Sequence, residues 1–154
     1  MSANSRLTIA THVVAWMELA RRNGDEWSTS DQLARSVRTN PVVIRRLLGE
    51  LRQAGLVESR RGAKAGWRLT RDGAEMTLGD VSAAIGDESI YALHRNEPSE
   101  ICPVAQGIRP ALRPIYARVD DAIRDELSRV SIDDVFRATV RKTASGEWVP
   151  ADGW

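Results

Sequence analysis

Apolar residues near the start of the chain return at helical spacing (Leu7, Ile9, Ala10, Val13, Val14, Trp16, Met17, Leu19, Ala20), and the run stops at Asn23-Gly24, a natural helix end. This predicts a first helix buried over a broad face. Thr29 is followed three residues later by Gln32, a capping-box pair, which opens a second helix through Leu33, Ala34 and Val37. Arg38-Thr39-Asn40-Pro41 reads as a tight turn in which Asn40 caps the next helix and Pro41 takes its first position, where a missing N–H costs nothing. That third helix is predicted from Pro41 to about Ala54. Its apolar stripe is Ile44, Leu47, Leu48 and Leu51, so Val42, Val43, Arg45, Arg46 and Arg52 lie wholly or partly off it.

Gly55 closes the third helix, and two strand-like runs, Leu56–Ser59 and Trp67–Thr70, flank a basic and glycine-containing tip at residues 60–66. Helix, helix, turn, helix, hairpin is the order of a winged helix-turn-helix, whose third helix enters the major groove while the wing reaches the backbone or minor groove. Thr77–Asp80 caps a short helix carrying Leu78, Val81, Ala84 and Ile85 and ended by Gly86. Residues from Asp87 to Glu100 are polar and irregular. From Ile108 the residues Leu112, Ile115, Val119, Ile123, Leu127 and Val130 follow at steps of three or four, the seam of a helix over 20 residues long. A partner helix from a second subunit is the economical cover for it. Pro110 and Pro114 predict a late start or a kink. Ser131–Asp134 caps a short terminal helix, and little order is expected beyond about Arg141.

The fold expected is therefore mainly α: a winged helix-turn-helix with a small β-hairpin wing and a long C-terminal dimerisation helix. Residues 1–86 form the DNA-binding domain, 87–107 a sensor or linker region, 108–140 the dimerisation helix and terminal helix, and 141–154 a disordered tail.

Charge sharpens this picture. The whole chain carries a formal +1, yet Arg35–Arg71 holds ten basic residues against two acidic ones. Such an asymmetry suits one face that meets a polyanion, although a solvated charged face has the same signature. No apolar run reaches the roughly 20 residues of a membrane span, and the first residues do not read as a signal peptide; the expected location is the cytoplasm, with no membrane partner. A single cysteine, Cys102, leaves no intramolecular disulfide framework and no multi-cysteine metal site.

Five segments together resemble a known family. They are Ser5-Arg6-Leu7 with Ala10-Thr11-His12, Leu47–Ser59, Gly62–Leu69, Thr77-Leu-Gly-Asp-Val81 and Ser131-Ile-Asp-Asp-Val135. In this order and spacing they are similar to the family of the iron-sulfur regulator IscR, the nitric-oxide sensor NsrR and the cysteine-metabolism regulator CymR, often called the Rrf-two family. The resemblance implies a homodimer on a near-palindromic double-stranded DNA operator. It points to Asn40, Val42, Val43, Arg45 and Arg46 as base-reading candidates, to Arg61 as the wing residue for the minor groove and to Lys64 as a backbone contact. Thr29, at the start of the reading segment, completes the DNA-binding set. The chemistry fits: arginine offers two donors to a guanine edge, valine meets a thymine methyl, and a wing arginine suits a narrow minor groove.

The sequence departs from this family where its sensing chemistry lies. Cluster-binding members carry three cysteines before the long helix, and here Cys102 stands alone. Glu97 and Glu100 show no matching spacing. The resemblance is to the clusterless branch, with no cofactor and no metal expected. Cys102 precedes Pro103, so its thiol can sit at a helix N-terminus as an oxidant or ligand sensor; the alternative is an apolar cysteine near the dimer seam, and an intersubunit disulfide is a further option. His12 reads as a packed, hydrogen-bonded residue. As a ligand it would belong to a rare mixed Cys/His/carboxylate cluster, a reading weakened by Thr8 one turn earlier. His94 is expected to be exposed, and Trp16, Trp27 and Trp67 to pack in the core or at a hinge.

No catalytic constellation is present, since one cysteine and two scattered histidines come without a phosphate loop or metal spacing. The function expected is a DNA-binding transcriptional regulator, a repressor modulated by redox or a small ligand near Cys102. The alternatives are an iron-sulfur redox regulator and a winged-helix protein-interaction module without DNA binding.

Overall fold

The computed structural model describes residues 3–86 and 89–151. Of the expected sensor region, residues 87 and 88 lie outside these, as do residues 152–154 of the expected tail. Helix α1 (Ala3–Arg22) starts earlier than the apolar pattern required, and Gly24 follows it with φ +87°. Helix α2 (Ser30–Val37) opens on the anticipated capping box: the Gln32 amide donates to Thr29 Oγ1 at 3.2 Å while Gln32 Oε1 accepts from the Thr29 amide at 2.8 Å. Helix α3 (Pro41–Gln53) begins at Asn40, whose Oδ1 accepts from the Val42 amide at 2.8 Å. The turn joining α2 to α3 places Arg38 in the left-handed region, φ +59°, a conformation that its Cβ opposes. Nothing in the residue type predicted that.

Strands β1 (Val57–Arg60) and β2 (Gly66–Leu69) pair antiparallel from Val57 with Leu69 to Arg60 with Gly66. Two backbone hydrogen bonds of 2.8 Å between Ser28 and Trp67 dock the segment before α2 onto this hairpin. A turn of 3-10 helix (Gly73–Glu75) leads to α4 (Leu78–Ala84), capped by Thr77 and Asp80 as expected. The core gathers Ala10, Val13, Val14 and Met17 of α1 with Leu33 of α2 and Ile44, Leu48 and Leu51 of α3. This is the mainly α, winged helix-turn-helix architecture.

Helix α5 runs from Pro103 to Arg129, five residues earlier than the seam alone suggested, and includes both internal prolines. Each proline withholds one backbone donor, so the helix carries two gaps in its hydrogen-bond ladder, on a stretch where Pro110 and Pro114 themselves are exposed. No residue of α5 is buried. Tyr91, in the irregular segment before it, lies against Tyr116 with ring centroids 5.5 Å apart.

Helix α6 (Ile132–Thr139) returns to the winged domain. Ile132 joins the core, and backbone bonds link Leu78 to Val130 at 2.9 Å and Ile132 to Met76 at 2.8 Å. The terminal helix thus packs on α1 and the 3-10 turn rather than continuing α5. The tail also differs from expectation. Strands β3 (Val140–Lys142) and β4 (Trp148–Pro150) form a second hairpin, held by the Trp148 ring edge-on to Phe136 at 5.0 Å. Isolated tryptophans in a polar stretch hid a contact that only the position of α6 creates.

Candidate nucleic-acid interface

Helix α3 divides into two faces. Ile44, Leu47, Leu48 and Leu51 are buried, while Val42, Arg45, Arg46 and Arg52 are exposed. Val42 keeps 64% of its surface in water. Val43 is half-buried beside Arg6, Ile9 and Leu47. Arg6 of α1 pairs with Glu50 at 2.5 Å, and Glu50 also sits 3.6 Å from Arg46. This leaves the Arg46 side chain 83% exposed.

The N-terminus of α2 lies next to the same face. Arg45 Nε donates to Ser30 Oγ at 3.3 Å and its Nη2 approaches Asp31 at 3.5 Å. Thr29, one residue earlier, is exposed but spends its hydroxyl on the α2 cap. Asn40 likewise is exposed, with its Oδ1 capping α3. Arg45 thus ties the α2 N-terminus, where Thr29 stands, to the face of α3 that carries Val42, while Asn40 stands at the α2–α3 turn.

The wing supplies the rest. Arg61 and Lys64 are exposed at its tip and form no ion pair among the described residues. Arg68 is different. Its guanidinium donates to Glu58 and, at 3.1 Å, to Glu26, and the hydrogen bond to Glu58, opposed by partial desolvation, raises its pKa further above the usual range. Arg71 pairs with Asp80 at 3.0 Å. Arg52 reaches across from α3, donating to Ser59 Oγ at 3.2 Å with its guanidinium 5.9 Å from the centre of the Trp67 ring. The charge excess along the sequence thus sorts into internally paired arginines and a smaller set facing water.

The expected sensor residues stand apart from this surface. Cys102 is the N-cap residue of α5, with Pro103 next as anticipated, but its side chain makes no capping hydrogen bond. It is half-buried between two apolar neighbours that are not: Ile101 is 94% and Val104 70% exposed. His12 is hydrogen-bonded, with Nε2 3.0 Å from Ser36 Oγ, yet exposed rather than packed in the core. It stands at the rim of an apolar groove of about 680 Å³ lined by Leu7, Trp16, Leu19, Leu78, Val135 and Phe136. His94 is exposed. Among the described residues no three His, Cys, Asp or Glu side chains gather closely enough to hold a metal ion, and no helix is long and apolar enough to cross a membrane.

Comparison with known proteins accords with this geometry. Residues 3–138 match the family described as Rrf2, iron-dependent transcriptional regulator. The chain is 37% identical to the Bacillus subtilis protein YwnA over 134 residues, covering 86% of the chain and 96% of YwnA. It is 26% identical to the HTH-type transcriptional regulator CymR of the same organism, covering 80% and 82%. The crystal structure of Staphylococcus aureus CymR in an oxidised form superposes with a TM-score of 0.61 at 25% identity, covering 88% of the chain and 96% of that protein.

Proposed function

The chain belongs to the Rrf2 family of DNA-binding transcriptional regulators, and we propose that within it this protein works in the cytoplasm as a homodimeric repressor that reads an operator with α3 and the wing. The observation that carries this reading is the exposed face of α3, where Val42, Arg45 and Arg46 stand clear of the core while Arg61 and Lys64 stand clear of any ion pair among the described residues. In this reading Arg45 and Arg46 meet base edges, Val42 and Val43 meet thymine methyls, Asn40 binds at the α2–α3 turn and Thr29 at the α2 N-terminus, Arg61 enters the minor groove and Lys64 meets phosphate. The apolar stripe along the first half of α5 with the two residues before it, open at Ile101, Val104, Ile108 and Ile115, is the surface on which a second copy pairs.

DNA binding is modulated at Cys102 in the same proposal. A hydroperoxide would take the thiol to a sulfenic acid and leave as the alcohol. Placing a polar group between Ile101 and Val104 would alter how two α5 helices meet, and with it the spacing of two winged domains. The oxidised form in which Staphylococcus aureus CymR has been solved supports a redox reading. The iron in the family's description does not fit the donors of one chain, which offer one thiol and a His12 already bonded to Ser36.

The test is fluorescence anisotropy of the full chain on duplexes that it selects from a random-sequence pool, from about 50 to 300 mM salt. Binding whose logarithm falls linearly with log salt is expected, with Arg46→Ala relaxing sequence preference and Lys64→Ala lowering the slope by about one. Absence of any salt-dependent duplex binding would favour a protein-interaction module. Release by hydroperoxide that persists unchanged in Cys102→Ser would sink the thiol sensor.

A further inference from the structure

Trp27 stands just before α2, and two guanidinium groups lie over its indole, Arg60 at 4.2 Å and Arg68 at 4.7 Å from the ring centre. Both arginines belong to the wing. We propose that Trp27 is a positioning residue for DNA reading: it clamps the wing to the helix-turn-helix, so that Arg61 and Lys64 meet the duplex at a fixed place relative to α3.

The hairpin is built for this clamp. Glu58 pairs with Arg68 and Arg60 with Gly66, so these four residues share one face of the two-stranded sheet. Gly66 leaves a gap in that face. A Cβ there would lie 3.4 Å from Trp27 Cβ and 3.3 Å from the Ser28 carbonyl oxygen, so the bare backbone is what lets the indole approach. Planar guanidinium groups stack on such a ring and are attracted by its electron-rich face, which a lysine ammonium does with less contact. Arg60 also donates through Nε to the Lys64 carbonyl, closing the tip on itself. Arg61, the adjacent residue, takes its place from that closure.

Three consecutive residues thereby join wing to helices. Trp27 stacks the wing arginines, Ser28 pairs with Trp67, and Thr29 caps α2. Arg60 consequently serves the wing's shape rather than meeting phosphate, despite its place in the basic tip.

This inference rests on the DNA-binding reading, and a double-mutant cycle separates the two. Arg61→Ala is measured in the wild-type and Trp27→Ala backgrounds on the duplex selected by the wild-type protein. Loss of about tenfold or more is expected in the first and less than about twofold in the second, because a loosened wing no longer delivers Arg61. Trp27→Phe, which keeps a ring face, is expected to retain most of the coupling. A merely structural role would lower stability and leave the Arg61 penalty the same in both backgrounds, which would overturn the proposal. If Trp27→Ala does not fold, Arg60→Ala carries the same cycle, and an undiminished Arg61 penalty there marks Arg60 as an ordinary phosphate contact and overturns it equally. Amide exchange in the DNA-free protein must also quicken across residues 57–69 in Trp27→Ala but not in α1; unchanged wing protection refutes the clamp. If the wild-type protein binds no duplex, the DNA-binding reading fails and takes this role with it.

Discussion

Gly79 of α4 and Ser128 of α5 meet so closely that a Cβ on Gly79 would lie 2.5 Å from Ser128 Oγ and 3.1 Å from its Cα. The hydroxyl can rotate aside, but the backbone has nowhere to go. Gly79→Ala is therefore expected to push α5 off α4 and to destabilise the fold by about 1–3 kcal/mol, read as a lower urea midpoint. Ser128→Ala in the same chain removes the hydroxyl but leaves the α5 backbone pressed against the new methyl, so only part of the loss should return. Full recovery would show that α5 approaches α4 less closely than this.

Glu18 is fully buried, and it is answered by two arginines of its own helix, Arg21 Nη2 at 2.8 Å and Arg22 Nε at 2.7 Å. Arg21 continues to Asp72 at 2.9 Å beside the 3-10 turn, and Arg22 continues to Asp133 of α6, itself held by Arg137 at 2.7 Å. The hydrogen bond to Glu18 leads the effects that raise the Arg21 pKa above its usual range. Glu18→Ala removes the acid at the centre and leaves Arg21 and Arg22, partly exposed and still paired to Asp72 and Asp133, without their shared acceptor, which should cost about 1–3 kcal/mol. Glu18→Gln keeps the shape and an acceptor and should cost less. Equal losses in guanidinium denaturation would mean that charge alone, and neither shape nor a neutral acceptor, holds the centre.

Asp72 and Asp134 respond to acid in a predictable sense. The Ala74 amide holds Asp72 below the usual aspartate range, helped by Arg21, and the Ser131 hydroxyl and amide do the same for Asp134. Both prefer the charged form when folded. Their contribution is fully present above the unfolded-state aspartate value, about 3.9, and is lost as pH falls through the lower folded-state values. Thermal midpoints should hold through neutral pH and drop below about pH 4, with a shallower drop in Asp72→Asn. A midpoint that rises on acidification would contradict the assignment.

Much of this was legible in the chain itself, for local reasons. Thr29 with Gln32, Thr77 with Asp80, and Asn40 before Pro41 announce helix starts because the cap is made by residues within three positions of each other. The two faces of α3 follow from spacing alone. What the sequence concealed depends on distant partners. Trp148 finds Phe136 only because α6 folds back onto α1, so a tail that looks polar becomes a hairpin. The pairing of Arg68 with Glu26 spans more than forty residues, and without it Arg68 is indistinguishable from Arg61 among the basic residues of this stretch. His12 looked like a core residue on an apolar helix, yet it stands outside the rim of that core and bonds to Ser36.

The apolar stripe of α5 is used unevenly, and in the proposed homodimer its open part is the surface for a second copy. Ile123 and Leu127 line a cleft against α4, whereas Ile108 and Ile115, nearer the N-terminus, remain exposed together with Val104. A helix with no buried residue cannot be held by its own chain alone over its first half. Ile115→Glu places a charge in the middle of the open stretch and is expected to convert the dimer to monomer in sedimentation at micromolar concentration. Ala117→Glu, on the other side of the helix, should leave assembly intact. Losing the dimer also removes the second half-site, so Ile115→Glu should bind a selected palindromic duplex at least about a hundredfold more weakly, while a single half-site is bound as by the wild type. An Ile115→Glu protein that still sediments as a dimer would place the interface elsewhere on the molecule.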